Sequence, residues 1–311
     1  MTNNLDILVT LSTFAEYSEE PRRMLEASGL TFRINRSGKR MTPEEVVHQG
    51  AGCRAVIAGV EEYTVDVLAA MPFLKCISRV GVGIDSIDRV ECEKRGIAIL
   101  NTPDEPAVAV AELTLAMILG LLRRFPQVSP LTCARKWQRV PGNLLSGKTV
   151  GLIGLGRIGR RVTGLLQPFG VRVIASDPAA NTVWAESNNV EIVEMEHLLE
   201  QADVITIHAS GGGTPVKIGR EEIIWMKEGA IIINVARGDM VDDVALSEAL
   251  ASGKLSGAGL DVYPQEPYSG PLCDSAKVIL TPHQATLTVE TRVAMETHAV
   301  RNAVDYLTKL A

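Results

Sequence analysis

The chain has 311 residues, of which 46% are hydrophobic and 22% are charged, and its formal net charge is −6. This composition is typical of a folded globular protein that is long enough for two domains. The negative charge argues against binding to nucleic acid or to an anionic membrane surface, because both need a basic face.

The five cysteines are scattered along the chain and form no CxxC pair, which argues against a standard zinc site. The N-terminus, MTNNLDILVTL, lacks the basic residues and the cleavage site of a secretory signal. The longest apolar run, Leu113 to Leu122, is too short to span a bilayer and predicts a buried helix. Together these features predict a cytoplasmic protein without a metal ion.

Short β-rich segments alternate with helical patterns along the chain, which is typical of a parallel α/β architecture. The first third contains five predicted strands: DILVTL, TFRI, AVIAG, LKCISR and IAILN. A helix is predicted from Pro106 to about Arg124. The pattern resumes near Lys148 with six more strands: KTVGLIG, VRVIASD, DVITIH, GAIIINV, LSGAGLDV and AKVILTP. The last segment, Thr288 to about Thr308, predicts one amphipathic helix.

A glycine-rich loop lies between a predicted strand and a predicted helix, in KTVGLIGLGRIGRRV. Gly154 permits a sharp turn, Gly156 lets a pyrophosphate approach the backbone, and Gly159 allows the helix to pack closely on the strand. The next predicted strand ends in Asp177, where an acidic side chain binds ribose hydroxyls. A carboxylate there repels the additional phosphate of NADP, so the pattern favours NAD. S-adenosylmethionine sites also use a glycine loop followed by an acid, and the loop alone leaves that alternative open.

Three chemically complementary side chains follow three successive predicted strands. Arg237 follows IIINVA, Glu266 lies in LDVYPQEP, and His283 follows VILTP. Each alone would be an ordinary surface or loop residue. Ligands of such sheets bind outside the carboxyl ends of the strands, so these side chains are expected to meet there. Arginine binds a carboxylate through two hydrogen bonds, histidine exchanges a proton near neutral pH, and a carboxylate beside histidine favours its protonated form.

Several motifs resemble those of one known family in their order and spacing. They are SRVGVGIDSID, NTPDEPAVAVAELTLAMIL, GKTVGLIGLGRIGRRV, NVARGDMVDDVAL, GLDVYPQEP and LTPHQA. The family is that of the D-isomer-specific 2-hydroxyacid dehydrogenases, and within it the phosphoglycerate dehydrogenase-like group. The resemblance covers essentially the whole chain.

This resemblance implies a role for each matching residue. Arg237 would bind the carboxylate and carbonyl of the substrate, His283 would be the acid/base and Glu266 its partner. The backbone amides around Val82 and Gly83 would hold the substrate carboxylate. The expected cofactor is NAD, and the residues expected to bind it are Gly154, Gly156, Arg157, Ile158, Gly159, Asp177, His208, Val235, Ala236 and Asp261.

The resemblance also implies the fold and the assembly. A Rossmann NAD-binding domain, residues 101–284, is expected to be inserted into a flavodoxin-like parallel α/β substrate domain, residues 1–100 plus 285–311. The active site is expected in the cleft between them. Family members are usually homodimers through the nucleotide domains, and the apolar helix predicted at 106–124 suits that role.

Two segments depart from the family pattern. The family usually carries HxPLTxxT where this chain has HASGGGTPVKIG, starting at His208, and we expect a more mobile wall over the cofactor. Phosphoglycerate dehydrogenases place an arginine in the loop that here contains Gly59 and Val60, followed by Glu61 and Glu62. That difference weakens the case for a phosphorylated substrate.

The leading hypothesis is therefore an NAD-dependent D-2-hydroxyacid dehydrogenase, most similar to D-3-phosphoglycerate dehydrogenase. The alternative within the same chemistry is a hydroxypyruvate or glyoxylate reductase. A different class, an NAD-sensing corepressor with the same fold, predicts peptide-binding surfaces and no turnover, and no disordered tail in the sequence supports it. The expected partner is a small 2-hydroxy or 2-oxo acid, with no nucleic acid and no membrane.

Overall fold

The computed structural model describes residues 5–209 and 216–310. The strands in these residues are β1 (Ile7–Val9), β2 (Phe32–Ile34), β3 (Ala55–Ala58), β4 (Cys76–Arg79), β5 (Ala98–Leu100), β6 (Thr149–Ile153), β7 (Arg172–Ser176), β8 (Val190–Ile192), β9 (Val204–Ile207), β10 (Ala230–Asn234), β11 (Leu255–Leu260) and β12 (Val278–Leu280).

The α-helices are α1 (Glu20–Ala27), α2 (Pro43–Gly50), α3 (Val65–Ala69), α4 (Arg89–Arg95), α5 (Pro106–Leu122), α6 (Phe125–Cys133), α7 (Arg157–Leu166), α8 (Thr182–Ser187), α9 (Met195–Gln201), α10 (Arg220–Trp225), α11 (Asp243–Ser252) and α12 (Val289–Lys309). Short 3₁₀ helices cover Gln167–Phe169, Gly238–Met240 and Pro271–Asp274.

The first of two compact units consists of Met1–Pro106 and Thr286–Ala311. Its five parallel strands lie in the order β2-β1-β3-β4-β5, which is the flavodoxin-like order. The C-terminal helix α12 packs its apolar side on this sheet, and the Ser78 hydroxyl of β4 donates a hydrogen bond to the Ala299 carbonyl of α12 (2.8 Å). The C-terminal helix α12 and the N-terminal strands therefore share one hydrophobic core in the first unit.

The second unit, Ala107–Ala285, contains a seven-stranded parallel sheet in the order β12-β11-β10-β9-β6-β7-β8. Six of these strands follow the Rossmann order, and β12 extends that sheet beyond β11. All five residues of β10 are buried, because helices cover both faces of a parallel sheet. The sheet therefore sets the carboxyl ends of β10, β11 and β12 side by side at one edge.

The structure differs from the sequence-based elements in two places. The strand β8 was missed, because a three-residue edge strand with the sequence VEI carries too little apolar pattern to stand out. The predicted helix 106–124 ends at Leu122, and Arg124 adopts a left-handed backbone (φ 59°) before α6 begins.

Within the described ranges, no single helix is long and apolar enough to cross a membrane. The pair α5 and α6 would pass that test together by length and composition, but the chain bends by 69° between them. Most apolar side chains of α5 are packed into the core of the second unit. The predicted fold class, a Rossmann domain inserted into a flavodoxin-like domain, is confirmed.

Candidate active site

The glycine loop adopts a conformation that only glycine permits at two of its positions. Gly154 has a φ of 98°, and a Cβ there would lie 2.7 Å from the backbone nitrogen of Ala209. A Cβ on Gly159 would overlap the Gly154 carbonyl oxygen. Gly156 precedes α7, and no described atom lies within 4 Å of its Cβ position. The start of α7 therefore has an open approach to its backbone N–H groups, which is the arrangement that binds a pyrophosphate.

Asp177 lies at the end of β7, where the sequence predicts a ribose-binding acid. One of its carboxylate oxygens accepts the N–H of Leu155 (2.7 Å), and the other accepts the N–H of Ala179 (2.8 Å). The carboxylate is half-buried and is held between the glycine loop and the following turn. Each carboxylate oxygen keeps a further lone pair, so both are available to hydroxyl groups of a ligand. Of the other loop residues, Arg157 is exposed and Ile158 is half-buried.

His208 follows β9 on the same edge, beside the glycine loop. Its Nε2 lies 2.9 Å from the Thr206 hydroxyl, and its Nδ1 is buried without a hydrogen-bond partner among the described residues. Burial lowers the pKa of His208 to about 3, so the ring is neutral. The predicted mobile wall falls mainly on residues 210–215, which lie outside the described residues.

Arg237 lies in a tight turn directly after β10. The buried Asn234 side chain stabilises this turn, since its amide donates to the Arg237 carbonyl (2.8 Å) and its oxygen accepts the Ala236 N–H (3.1 Å). Val235 is buried and Ala236 is half-buried in the same turn. Sequence reasoning missed Asn234, although a single polar residue that ends the apolar run AIII is a recognisable signal.

Gly238 follows Arg237 and contacts the backbone of the next strand connection. A Cβ on Gly238 would overlap the carbonyl group of Tyr263. The Arg237 turn therefore packs directly on the segment that leads from β11 to Glu266, and only glycine fits at this contact.

Glu266 and His283 are hydrogen-bonded to each other, as the sequence predicts. The Nδ1 of His283 lies 2.9 Å from Oε2 of Glu266, and 57% of the histidine side chain and 39% of the glutamate side chain are exposed. With Glu266 ionised, Nδ1 carries the proton of this bond, and Nε2 is left to exchange a proton with a ligand. The other glutamate oxygen accepts the N–H of Tyr263 (3.2 Å). His283 itself has a left-handed backbone (φ 51°), which is uncommon outside glycine.

Asp261 ends β11 and is completely buried. One carboxylate oxygen accepts the Thr281 hydroxyl and the N–H of Gln284 (2.8 Å), and the other accepts the N–H of Ala285 (2.9 Å). The structure thus places this predicted cofactor residue against the turn that carries His283. Its contact with a nicotinamide stays a prediction.

Val82 and Gly83 belong to the first unit and follow β4. Gly81 has a φ of 130°, its N–H donates to the Thr102 hydroxyl (2.8 Å), and the Asn101 side chain donates to the Val82 carbonyl (2.9 Å). This loop is therefore anchored to the segment after β5, with Val82 exposed. Its binding of a substrate carboxylate stays a prediction. In residues 5–209 and 216–310, no group of three or more His, Cys, Asp or Glu side chains is arranged to hold a metal ion.

Comparisons with known proteins identify the family of this chain. The family model described as D-isomer specific 2-hydroxyacid dehydrogenase, NAD binding domain, matches residues 115–285, more than half of the chain. D-3-phosphoglycerate dehydrogenase of Methanocaldococcus jannaschii is 41% identical over 247 residues, which cover 78% of this chain and 47% of that protein. The chain spans about half the length of the curated relatives it matches.

Solved structures match the chain over nearly its whole length. A protein from Thermus thermophilus is 32% identical with a TM-score of 0.89, covering 98% of this chain and 97% of the other. A glyoxylate reductase from Paecilomyes thermophila is 29% identical with a TM-score of 0.86, covering 96% of this chain and 94% of the other.

Proposed function

Because the chain belongs to the D-isomer specific 2-hydroxyacid dehydrogenase family, we propose that it transfers a hydride between NAD(H) and C2 of a small D-2-hydroxy or 2-oxo acid. The observation that carries the proposal is the hydrogen bond between His283 and Glu266, on the sheet edge that also carries Arg237. Reduction of a 2-oxo acid needs a cation that binds the carboxylate of the acid. It also needs a group that donates a proton to the carbonyl oxygen when the hydride reaches C2. These residues supply both.

Each residue of the site has a defined task in this proposal. Bound NAD supplies the hydride acceptor, and reduced NAD supplies the donor. Arg237 binds the substrate carboxylate and carbonyl, because its guanidinium matches oxygen pairs in two hydrogen bonds. His283 takes the hydroxyl proton in oxidation and returns it in reduction. Glu266 orients the ring through Nδ1, and the amides of Val82 and Gly83 bind the carboxylate.

The residues around the glycine loop fit a dinucleotide. Gly154 and Gly159 leave no room for side chains, while Gly156 and the start of α7 are open to a phosphate. The buried Nδ1 of His208 has no partner in the part of the chain that the structure describes, so it offers one unused hydrogen-bonding atom beside this loop. We propose that these residues and Asp177 hold NAD.

NAD is expected to bind on the order of 10²-fold more tightly than NADP, since about 2.7 kcal/mol of repulsion between Asp177 and the 2′-phosphate is enough for that ratio. Asp177→Ala should reduce the difference between the affinities for NAD and NADP, mainly because NADP binds more tightly. Asp177→Asn keeps an acceptor for the Leu155 N–H and removes only the charge, so it separates repulsion from loop support. Fluorescence titration with NADH and NADPH measures both affinities. Equal affinity in the unaltered protein would refute the role of Asp177.

Glu266→Gln should shift both pH–rate profiles to lower pH. Removing the negative charge makes protonation of His283 less favourable. Reduction needs the protonated ring, so its alkaline limb should move to lower pH. Oxidation needs the neutral ring, so its acid limb should move in the same direction. The expected shift is a fraction of one pH unit, because an ion pair as exposed as this one contributes about 0.2–1 kcal/mol. Unshifted profiles with normal activity would mean that Glu266 does not act on His283 during turnover.

Two classes of substrate, phosphorylated and unphosphorylated, are the main candidates. The names of the curated relatives favour 3-phosphoglycerate and its 2-oxo product. The loop after β3 favours the alternative, hydroxypyruvate or glyoxylate. There, Glu61 is buried and accepts a hydrogen bond from the Thr10 hydroxyl (2.7 Å), and its carboxylate lies against Gly59. The buried carboxylate of Glu61 would repel a phosphate bound beside this loop. Glu62 is exposed, and its carboxylate lies 3.9 Å from the Arg40 guanidinium.

The direct test of the proposed function is NADH oxidation with a panel of 2-oxo acids. The panel contains phosphohydroxypyruvate, hydroxypyruvate, glyoxylate and a sulfonated analogue. Turnover of at least one member supports the proposal. The ratio of kcat/KM values among the members identifies which substituent beyond the 2-oxo group the site prefers. Absence of turnover with every member, in protein that binds NADH, would refute it.

We also propose a homodimer in the cytoplasm. Phe125, Trp137 and Leu144 expose large apolar surfaces after α5, with 86% of Trp137 accessible, and a second copy would cover them. All five cysteines are free, which suits a reducing compartment. Light scattering after size-exclusion chromatography measures the assembly, and a monomer at micromolar concentration would refute the dimer.

A further inference from the structure

Tyr263 is hydrogen-bonded through separate groups to Glu266 and to Thr281, which lies two residues before His283. Its backbone N–H donates to Oε1 of Glu266 (3.2 Å). Its hydroxyl lies 3.0 Å from the carbonyl oxygen of Thr281, two residues before His283. The same hydroxyl lies 3.0 Å from the Leu260 carbonyl at the end of β11. One buried residue thus connects the ends of β11 and β12 with the glutamate.

The Thr281 carbonyl is also the acceptor for the backbone N–H of His283 (3.0 Å). It therefore closes a turn around Pro282, and His283, the last residue of that turn, has the left-handed backbone. Such a conformation costs free energy and persists only where the surrounding contacts determine it. The Tyr263 hydroxyl donates to the Thr281 carbonyl that closes that turn, while Asp261 accepts the N–H groups of Gln284 and Ala285 on its other side.

The Tyr263 hydroxyl stays protonated and therefore always acts as a hydrogen-bond donor. Burial raises the pKa of this hydroxyl to about 12, so the group keeps its proton at neutral pH. A single proton faces two carbonyl oxygens, and no other described group is needed to satisfy it. The ring is stacked on Tyr268 with the centroids 4.4 Å apart and the planes 20° from parallel, which fixes its direction.

From these contacts we propose that Tyr263 is a positioning residue for the proposed reaction, one that sets the place and direction of His283 relative to Glu266. The inference rests on the proposed function for its catalytic consequence, but the geometry that it describes does not. Tyr263 acts through the turn at Thr281 and through Glu266. Loss of its hydroxyl should loosen the His283 turn while the Glu266 contact through the backbone remains.

The test compares Tyr263→Phe with Tyr268→Phe. Tyr268 also loses a hydrogen-bonded hydroxyl when changed, because its hydroxyl donates to Asp243 (3.0 Å), but that bond does not involve the two strand ends. We expect Tyr263→Phe to lower kcat about tenfold, which is the effect of losing about 1.4 kcal/mol, with the KM for NADH within twofold of the original value. Tyr268→Phe should keep kcat within twofold. Equal kcat values in both variants and the unaltered protein would overturn the proposal.

A second measurement reads the same geometry without cofactor or turnover. The imidazole resonance of His283 is followed by NMR as the pH is changed, and it is assigned by its absence in His283→Ala. A looser contact with Glu266 makes protonation less favourable, so the titration midpoint should fall in Tyr263→Phe and stay in place in Tyr268→Phe. Identical midpoints in all three proteins would overturn the proposal. A protein inactive on every 2-oxo acid, but with the expected shift, would instead refute the proposed function alone.

Discussion

Replacing His283 with alanine should lower turnover by on the order of 10²–10⁴-fold, the usual contribution of general acid–base catalysis. The alanine has no group to exchange a proton with the substrate oxygen, and Glu266 loses the ring it orients. NADH affinity should stay within about twofold, because the dinucleotide is expected to be held by the glycine loop and Asp177. Steady-state kinetics measures the first quantity and fluorescence titration the second.

The matched control is His298→Ala. His298 in α12 is also hydrogen-bonded to a glutamate, Glu105, but both residues belong to the first unit and lie outside the proposed site. This variant should keep kcat, although its thermal stability falls. If His283→Ala retains most of its activity, or if both variants lose activity equally, His283 is not the acid/base.

Gly238→Ala should damage both stability and activity. Its Cβ would overlap the Tyr263 carbonyl, so the Arg237 turn and the segment before Glu266 must move apart. Overpacking of this kind costs about 1–3 kcal/mol of unfolding free energy. Because the displaced parts carry Arg237 and Glu266, kcat/KM should fall by more than tenfold even at temperatures where the variant is folded.

Gly164→Ala provides the comparison for that variant. Gly164 is exposed in α7, and no described atom lies within 4 Å of its Cβ position. Alanine should therefore stabilise the helix by up to about 1 kcal/mol. Thermal denaturation and kinetics of the two variants measure the contrast. A Gly238→Ala protein as stable and active as the original would show that the turn does not pack on Tyr263 as described.

The family, the fold class and NAD as the cofactor were predictable from the sequence, because each depends on short-range rules. A glycine loop between strand and helix has few structural alternatives, and parallel strands bring their carboxyl ends to one edge. The Glu266–His283 contact was predictable because both residues follow parallel strands whose carboxyl ends meet at that edge, although the two residues are far apart in the sequence. The residue-level roles in catalysis and cofactor binding stay predictions.

Other parts of the site could not be predicted, since they depend on three-dimensional contacts without a sequence pattern. The left-handed backbone of His283 lies between hydrogen bonds made by Asp261 and by the Thr281 carbonyl. The double attachment of Tyr263 requires two strand ends to meet at one hydroxyl. At Gly238, the need for glycine comes from the backbone of Tyr263, which is distant along the chain. No periodic pattern or motif in the sequence marks any of these contacts.

In the proposed reduction, hydride passes from NADH to C2 of a 2-oxo acid and His283 donates a proton to the carbonyl oxygen, which gives the D-2-hydroxy acid. The most informative measurement uses the best 2-oxo acid of the panel other than glyoxylate, whose product has no D or L form. This acid is reduced with NADH carrying deuterium at both C4 positions, and the product is analysed by mass spectrometry and chiral separation. We expect one deuterium at C2, the D configuration, and at least about 100-fold less of this product from His283→Ala over the same time. A product without deuterium, or one with the L configuration, would contradict the proposed reduction.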